Sequence, residues 1–410
     1  MSLLIAPAYL PILLLGFSWS ALAPSFPQYL AGLGAGVAAI GGVVAMKGVG
    51  QVASDLPGGF MLAFWGSRRV TIVAFGVAIG SNALLFWVRA VEIIGLFTFV
   101  SGFATSILVT AVLTLIRAQV PASFRGRALA GVGGALRFGM LLGPAAGGMI
   151  AEQFGVPMVF LLRATLLLAG AISFAAGTLG TVTPYRNDHS IHTPKEAETA
   201  EDRLGARVLA PLKPVIRGLQ GRWYAVGTVG FGILILSILR SSREVILPLW
   251  GAHLELSVAE IGLAMSLGAG FDLLLFIPAG VISDKWGRKV SAALCLALFS
   301  LGLLLLLPSR SFLLFVLAGA LIGIGNGFGA GINMTTGADL APSVAVSQFL
   351  GLWRLYGDLG SALGPVLVGT LSAAITLGPT VAVTALLGGL GLAVVLFLAP
   401  ETKSLPGGGR

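Results

Sequence analysis

A single cysteine, Cys295, among 410 residues excludes an intramolecular disulfide and a cysteine-ligated metal site. Histidine is almost as scarce: His189, His192 and His253 are scattered, with no metal-ligand spacing. No nucleophile elbow and no GxxxxGK(S/T) phosphate loop occurs. Covalent catalysis and ATP-driven work therefore lack their residues, and the chain reads as a non-enzyme with no cofactor and no metal. Charge is the most telling shortage. Only 10% of residues are Asp, Glu, Lys or Arg, against about a quarter in soluble domains. The net charge of +9 does not imply a nucleic acid partner, because the basic residues sit in short loops rather than on a soluble domain. The N-terminus shows no basic n-region or small-residue cleavage site, so the first apolar segment is expected to be retained.

What fills the chain is apolar: 56% of residues are hydrophobic and 59 are glycine. Glycine is commoner in membrane helices than in soluble ones, and the composition is that of an all-α polytopic membrane protein. Its organising stretch is GMLLGPAAGG, residues 139–148. Gly139, Gly143, Gly147 and Gly148 bracket Pro144 there. Glycines four apart leave a helix face smooth enough for close packing, and a central proline removes a backbone donor and bends the helix. The pattern returns 221 positions later as Gly360, Gly364, Pro365 and Gly369. Pro27 and Pro248, Ile40–Gly41 and Ile261–Gly262, Pro57 and Pro278, Gly59 and Gly280 keep the same register. So do Gly66 and Gly287, Gly102 and Gly323, and Pro121 and Pro342. The chain is a duplicated half, and a parallel repeat of apolar helices is a transporter signature.

Apolar segments of spanning length, about 20 residues, fall at roughly 7–26, 36–59, 70–89, 93–116, 128–151 and 157–180. A second set falls at roughly 223–249, 257–281, 290–308, 312–337, 347–373 and 378–399. Twelve transmembrane helices in two pseudo-symmetric six-helix bundles follow, residues 1–183 and 223–410. Between them 184–222 is polar, punctuated by Pro184, Pro194, Pro211 and Pro214, and reads as a linker with a short surface helix over 195–209. Seventeen Lys and Arg residues fall in one set of loops and tails, two (Arg89 and Arg310) on the other side, and six inside the spans. That asymmetry places both termini and the linker in the cytoplasm of a cell whose inner or plasma membrane holds the chain.

Residues 280–289, GVISDKWGRK, match Gly-x-x-x-Asp-Arg/Lys-x-Gly-Arg-Lys, the loop signature of the major facilitator superfamily, which the chain resembles over essentially its whole length. Here Gly280 is expected to permit close helix packing, Asp284 to cap or charge-pair, and Gly287 to make the turn, while Arg288 and Lys289 lie against the inner leaflet. The resemblance implies that this loop latches conformations at the cytoplasmic face. The first-half copy from Gly59 departs from the pattern: Ala63 replaces the acid and Ser67 an arginine, and Thr98 stands where the family's fourth helix often has arginine. Proton coupling is therefore not carried over from those positions. Gly139, Gly143, Pro144, Gly147 and Gly148 match the fifth-helix motif that the family associates with antiporters, especially drug:proton exporters; helix packing alone also explains them. The glycines at 323–331 lack a preceding strand and regular spacing, and read as helix packing rather than a nucleotide site.

Charges inside the spans carry the remaining information, since each costs at least about 2.5–3.5 kcal/mol at the bilayer centre unless paired or hydrated. The first half has Lys47, Asp55, Arg137 and Arg163; the second has Arg240, Arg243, Glu244, Asp272, Arg354 and Asp358. Arg240/Glu244 and Arg354/Asp358 are each four apart on one helix face. They read either as static pairs or as a relay; Asp272, Asp358, Asp55 and Glu244 are the proton-coupling candidates, with Arg137, Arg354 and Arg240 as charge partners. Lys47 and Arg163 read as static or snorkelling. Gln51 stands at the repeat position of Asp272, and Arg137 at that of Asp358, so the scaffold repeats and the charges do not. The resemblance further implies that the fifth and eighth helices, and the second and eleventh, face one another across the halves; with depth arithmetic, that pairs Arg137 with Asp272 and Asp55 with Arg354 when the cytoplasmic side is closed. In the resembling family the first, fourth, seventh and tenth helices line the cavity, which implies a mostly apolar site with Trp19, Gln28, Asn326 and Asn333 as polar anchors.

The expectation is a monomeric secondary transporter working by alternating access, exporting an apolar or amphipathic molecule against protons. The alternatives are a symporter importing a sugar or organic anion, and a non-transporting receptor or scaffold. Partners are a small-molecule substrate, protons and the lipid bilayer.

Overall fold

The computed structural model describes residues 5–178, 219, 221–342 and 346–403. Nearly all of the linker 184–222, with the helix foreseen at 195–209, lies outside the described residues. Among those described there are fourteen α-helices and no strand. A π-helical turn, Ile5–Tyr9, leads into α1 (Leu10–Ala21), and α2 (Phe26–Gly32) continues that span after a 41° bend. Then follow α3 (Val37–Trp65), α4 (Ser67–Leu84), α5 (Val91–Gln119), α6 (Ala122–Phe154) and α7 (Val156–Thr178). The second half comprises α8 (Trp223–His253), α9 (Val258–Trp286), α10 (Arg288–Leu306), α11 (Phe312–Phe328), α12 (Ile332–Leu340), α13 (Val346–Ile375) and α14 (Leu377–Ala393).

Ten of these segments are long and apolar enough to cross a membrane, eleven with the bent α1–α2 pair. The helix that falls short is α4, in the place of the third span. It falls short in apolarity, because the first turn of its 18 residues carries Arg68 and Arg69. The tenth span is continuous in the sequence reading but broken in the structure, where α11 stops at Phe328 and Gly331 takes φ +75° before α12. Gly66 and Gly287, equivalent in the repeat, turn the chain between α3 and α4 and between α9 and α10 with φ of +79° and +105°. That conformation is strained for any residue with a Cβ.

The repeat extends to atomic contacts. A methyl group on Gly139 would overlap the α1 backbone at Leu13 and Phe17; one on Gly360 would overlap the α8 backbone at Leu234 and Ile238. Gly143 abuts Ser20 and Ala21, and Gly364 abuts Ser241 and Ser242 in the same way. Gly102 lies on the backbone of Lys47 as Gly323 lies on that of Gly268. Small residues are what membrane helices use to gain packing contact when water cannot drive them together. Gly280 departs from its expected role: nothing approaches within 4 Å of where its Cβ would sit, and the same holds for Gly59.

The outer surface suits lipid. Ile72, Val73, Val77, Ile172, Leu313, Leu386 and Phe397 are exposed. Trp65, Trp286, Trp223 and Tyr224 are exposed near the end that carries the basic loops, and Trp87 near the other, as in interfacial aromatic belts.

Candidate functional site

Two seams join the halves, α3 along α13 and α6 along α9. Gly41 of α3 meets the Pro365 carbonyl and the Gly369 backbone, while Gly262 of α9 meets the Pro144 carbonyl and the Gly148 backbone. These are one contact made twice, at the end away from the basic loops. Gly148 thus differs in role from Gly139, Gly143 and Gly147, which pack on α1 within their own half. More polar contacts tighten that far end. Ala145, next to the donor-less Pro144, donates its N–H to Ser266 Oγ at 2.9 Å, and the Ala259 N–H is accepted by Glu152 Oε2 at 2.9 Å. Gln28 Nε2 donates to the Pro248 carbonyl at 3.2 Å, so Gln28 closes the far end and does not line the cavity as expected.

Between the seams lies a cavity of about 500 Å³. Its apolar wall includes Leu15, Phe26, Val44, Met140, Leu247, Met265 and Ile322. Its polar wall holds Trp19, Gln51, Asn326 and nearly every charge the spans contain: Lys47, Arg137, Arg163, Arg240, Arg243, Glu244, Asp272, Arg354 and Asp358. Six cations thus face three acids.

Three ion pairs tie one half to the other around this chamber. Arg137 Nε lies 3.5 Å from Asp272 Oδ1, near the midpoints of α6 and α9, and its guanidinium stacks 4.6 Å from the Phe276 ring. Arg354 Nη2 lies 3.0 Å from Asp55 Oδ1, and its Nε 3.8 Å from Asp358 Oδ2. Lys47 Nζ lies 2.9 Å from Glu244 Oε2 and 4.4 Å from the centre of the Trp19 ring. The first two are the pairs that depth arithmetic brings together. They stand formed here while the far end is sealed backbone to backbone. The competing pairing of Arg354 with Asp358 is present but is the longer of the two.

Other expectations are corrected. Arg240 and Glu244 do not pair: Arg240 Nε donates to Asn326 Oδ1 at 2.6 Å and its Nη2 to the Gly329 carbonyl at 2.9 Å, and Glu244 turns across the interface to Lys47. A cation on the opposing half outbids a same-face neighbour that already has acceptors. Lys47 and Arg163 do not snorkel; both line the cavity. Asn333 is separated from Asn326 by the α11–α12 break and lies outside the cavity, its carbonyl accepting Trp353 Nε1–H at 2.7 Å. The Lys47–Glu244 pair is absent from the sequence reading, although its signal was there. Lys47 follows the far-end start of α3 by ten residues and Glu244 precedes the far-end close of α8 by nine, which places them at one depth.

The signature loop is clasped from three sides. Arg288 pairs with Asp284 and, at 3.3 Å, with Asp339 of α12. Glu401 accepts the backbone N–H groups of Arg288 at 2.9 Å and Lys289 at 3.1 Å, capping α10 with a carboxylate where the helix dipole favours one. Lys403 reaches the Asp284 carbonyl. No group of three or more His, Cys, Asp or Glu side chains able to hold a metal occurs among the described residues.

Compared with known proteins, the sequence matches the family described as Major Facilitator Superfamily over residues 9–243 and 229–410. It is 24% identical over 374 residues to a protein of Lactococcus lactis subsp. lactis (strain IL1403) named multi-drug resistance efflux pump PmrA homolog, covering 86% of this chain and 84% of that one. It is 31% identical over 179 residues to the MFS-type efflux transporter ffsH of Aspergillus flavipes, covering 43% of this chain and 29% of that one. In fold it is similar to the crystal structure of a D-xylose-proton symporter, with a TM-score of 0.73, 16% identity and 98% of each chain covered.

Proposed function

The chain belongs to the major facilitator superfamily, and on that premise we propose that it exports an amphipathic small molecule by alternating access, driven by protons. The observation that carries this reading is the set of three ion pairs, each with one member on either half, around a single cavity. Such pairs make a two-state element. Removing one member's charge from a buried pair costs about 3–5 kcal/mol, while a nearly complete shift between two states needs about 5.5 kcal/mol. A protonation therefore supplies part of the bias, the smaller part at a partly exposed pair such as Arg354–Asp55, and substrate binding the rest. The seam around Arg354 suits the proton best: Asp55 and Asp358 share one guanidinium, which neutralises only one of them. The efflux names borne by the two relatives support the outward direction.

In this reading residues 1–183 rock against 223–410, both termini and the linker are cytoplasmic, and a monomer suffices because the cavity is complete within one chain. The test uses everted membrane vesicles loaded with a pH-sensitive dye. Substrate should dissipate an imposed proton gradient, and Asp358→Asn or Asp272→Asn should abolish that response while sparing substrate exchange. A full response in both variants removes these acids from coupling. Alkalinisation of the medium on inward uptake in right-side-out vesicles would instead favour the symport alternative. Orientation is checked separately: cysteines placed within 184–222 in a Cys295→Ser background should resist an impermeant thiol reagent in intact cells.

A further inference from the structure

Three cations of the cavity have no acidic partner. Arg163 on α7 keeps a buried Nε with no hydrogen-bond partner. Arg243 on α8 makes no ion pair or hydrogen bond among the described residues, although it faces the same chamber. Arg240 is bonded only to neutral groups, Asn326 and the Gly329 carbonyl. Arg163 and Arg243 both act on Lys47 electrostatically. The charges around Arg243 are Asp272, Glu244, Arg240 and Arg137. The acids are already engaged: Glu244 holds Lys47, Asp272 holds Arg137, and Asp358 lies within reach of Arg354. A cationic guest would have to break one of these pairs, whereas an anionic guest finds donors waiting.

The scaffold does not need these cations. In the repeat, Arg163, Arg243 and Arg240 correspond to Thr384, Leu22 and Trp19, while the contacts of Gly139, Gly143, Gly102 and Gly41 return at Gly360, Gly364, Gly323 and Gly262. Unpaired cations at mid-membrane depth are costly, and an intramembrane charge without a structural partner marks a ligand path.

We propose that the cavity receives an amphipathic anion, a molecule with one carboxylate or sulfonate on an aromatic or aliphatic body. This rests on the transporter reading and names the substrate class for its site. The acidic group is held by Arg163 and Arg243, whose planar donors match a carboxylate. The body lies against Trp19, Phe26, Leu247 and Met265. Lys47, held by Glu244 at 2.9 Å in this structure, is the third donor, and the guest competes with Glu244 for it. A volume of about 500 Å³ suits a guest of this size.

Three probes sharing one fluorophore separate the possibilities: dansylglycine (anion), dansylglycinamide (neutral) and dansylcadaverine (cation), titrated against the purified full chain in nanodiscs. The expected ranking is dansylglycine tightest and dansylcadaverine weakest. Arg163→Gln and Arg243→Gln should each weaken dansylglycine about tenfold, leave dansylglycinamide within about twofold, and flatten the ranking. Arg243→Lys should retain part of the preference. Equal affinity of all three probes for the unmodified protein, a preference for the cation, or equal weakening of every probe by the Gln variants would overturn the proposal. The ranking on unmodified protein needs no variant to fold. Everted vesicles separate this claim from the one beneath it. If they pump dansylcadaverine and the anion does not bind, the anion site falls and the efflux reading stands. If the anion binds but none of the three probes crosses the membrane, the anion site stands and the transporter reading falls.

Discussion

The two seams are built alike and charged differently. At the far end Gly41 on Pro365 and Gly369 repeats as Gly262 on Pro144 and Gly148. Toward the basic end the resemblance stops. Asp55 and Arg354 bridge α3 and α13, whereas the repeat places Phe276 and Gly133 at the equivalent position between α9 and α6, ring against glycine. One turn nearer the far end the situation reverses, with Arg137 bridging to Asp272 while Gln51 and Asp358 hold the matching positions. Each seam therefore has one full charge bridge, at a different depth, and the two environments differ. Arg137 and Asp272 expose 18% and 7% of their side chains, whereas Arg354 exposes 44%. The α6–α9 seam is the dry one, where charge is expensive to leave alone. The α3–α13 seam is wetter and carries an extra carboxylate. In the proposed cycle the dry bridge holds and the wet one takes up and releases the proton.

The largest expected effect comes from inverting the dry bridge. Arg137→Asp alone puts three carboxylates' worth of repulsion into the cavity wall around Asp272 and Glu244, and transport should fall at least about a hundredfold, in line with the 3–5 kcal/mol cost of an uncompensated buried charge. Arg137→Asp with Asp272→Arg should recover most of it. Activity near normal in either single variant would remove the bridge from the cycle.

Next comes the glycine contact, which tests the equivalence of the seams rather than their difference. Gly41→Ala and Gly262→Ala each set a methyl group into the opposing backbone, so both should disfavour the sealed far end, and by similar amounts. Paired spin labels across that end should report longer distances in both variants. Gly280→Ala, with open space around it, should change neither distance nor transport. Unequal responses of Gly41→Ala and Gly262→Ala would show that the charges, not the glycines, set the closure.

The smallest effect separates the acids of the wet seam. Asp55 holds Arg354 at 3.0 Å and Asp358 at 3.8 Å, so Asp55→Asn should slow transport several-fold. Asp358→Asn should leave substrate exchange within about twofold while removing the proton response. Because the Arg354 side chain is 44% exposed, each step is of the size seen for exposed pairs, about 1 kcal/mol or less. A vesicle assay comparing exchange with proton-driven flux distinguishes the two.

The far-end seal also shows how much was legible in advance. Gly139, Gly143, Pro144, Gly147 and Gly148 were recognisable as a packing motif because glycine has one plain physical use in a membrane helix, close approach. Which neighbour each glycine approaches was not: three serve α1 and one serves α9, a matter of a few tens of degrees around one helix. Glu152 and Ser266 were not singled out, since a carboxylate near a helix end and a serine in a span are ordinary until another helix presents an unsatisfied N–H. Asn333 was misplaced because a continuous helix was assumed where Gly329–Gly331 break it. Glu401 became meaningful only once the end of the chain lay on the signature loop.

Sequence alone determined the class, the duplication and the depth of the charges. Apolar runs of spanning length, one register shift of 221 and the rise of 1.5 Å per residue are properties of the chain that need no partner to be measured. Depth is one-dimensional, and it placed Arg137 opposite Asp272 and Asp55 opposite Arg354 only once the family resemblance said which helices face one another. Tertiary structure alone decided azimuth: whether Glu244 faces Arg240 or Lys47, whether Gln28 faces the cavity or the seal, and that Arg163 and Arg243 share a chamber without an acid to meet them. Rotation of a helix about its axis is set by packing against its neighbours, and no residue carries that information by itself.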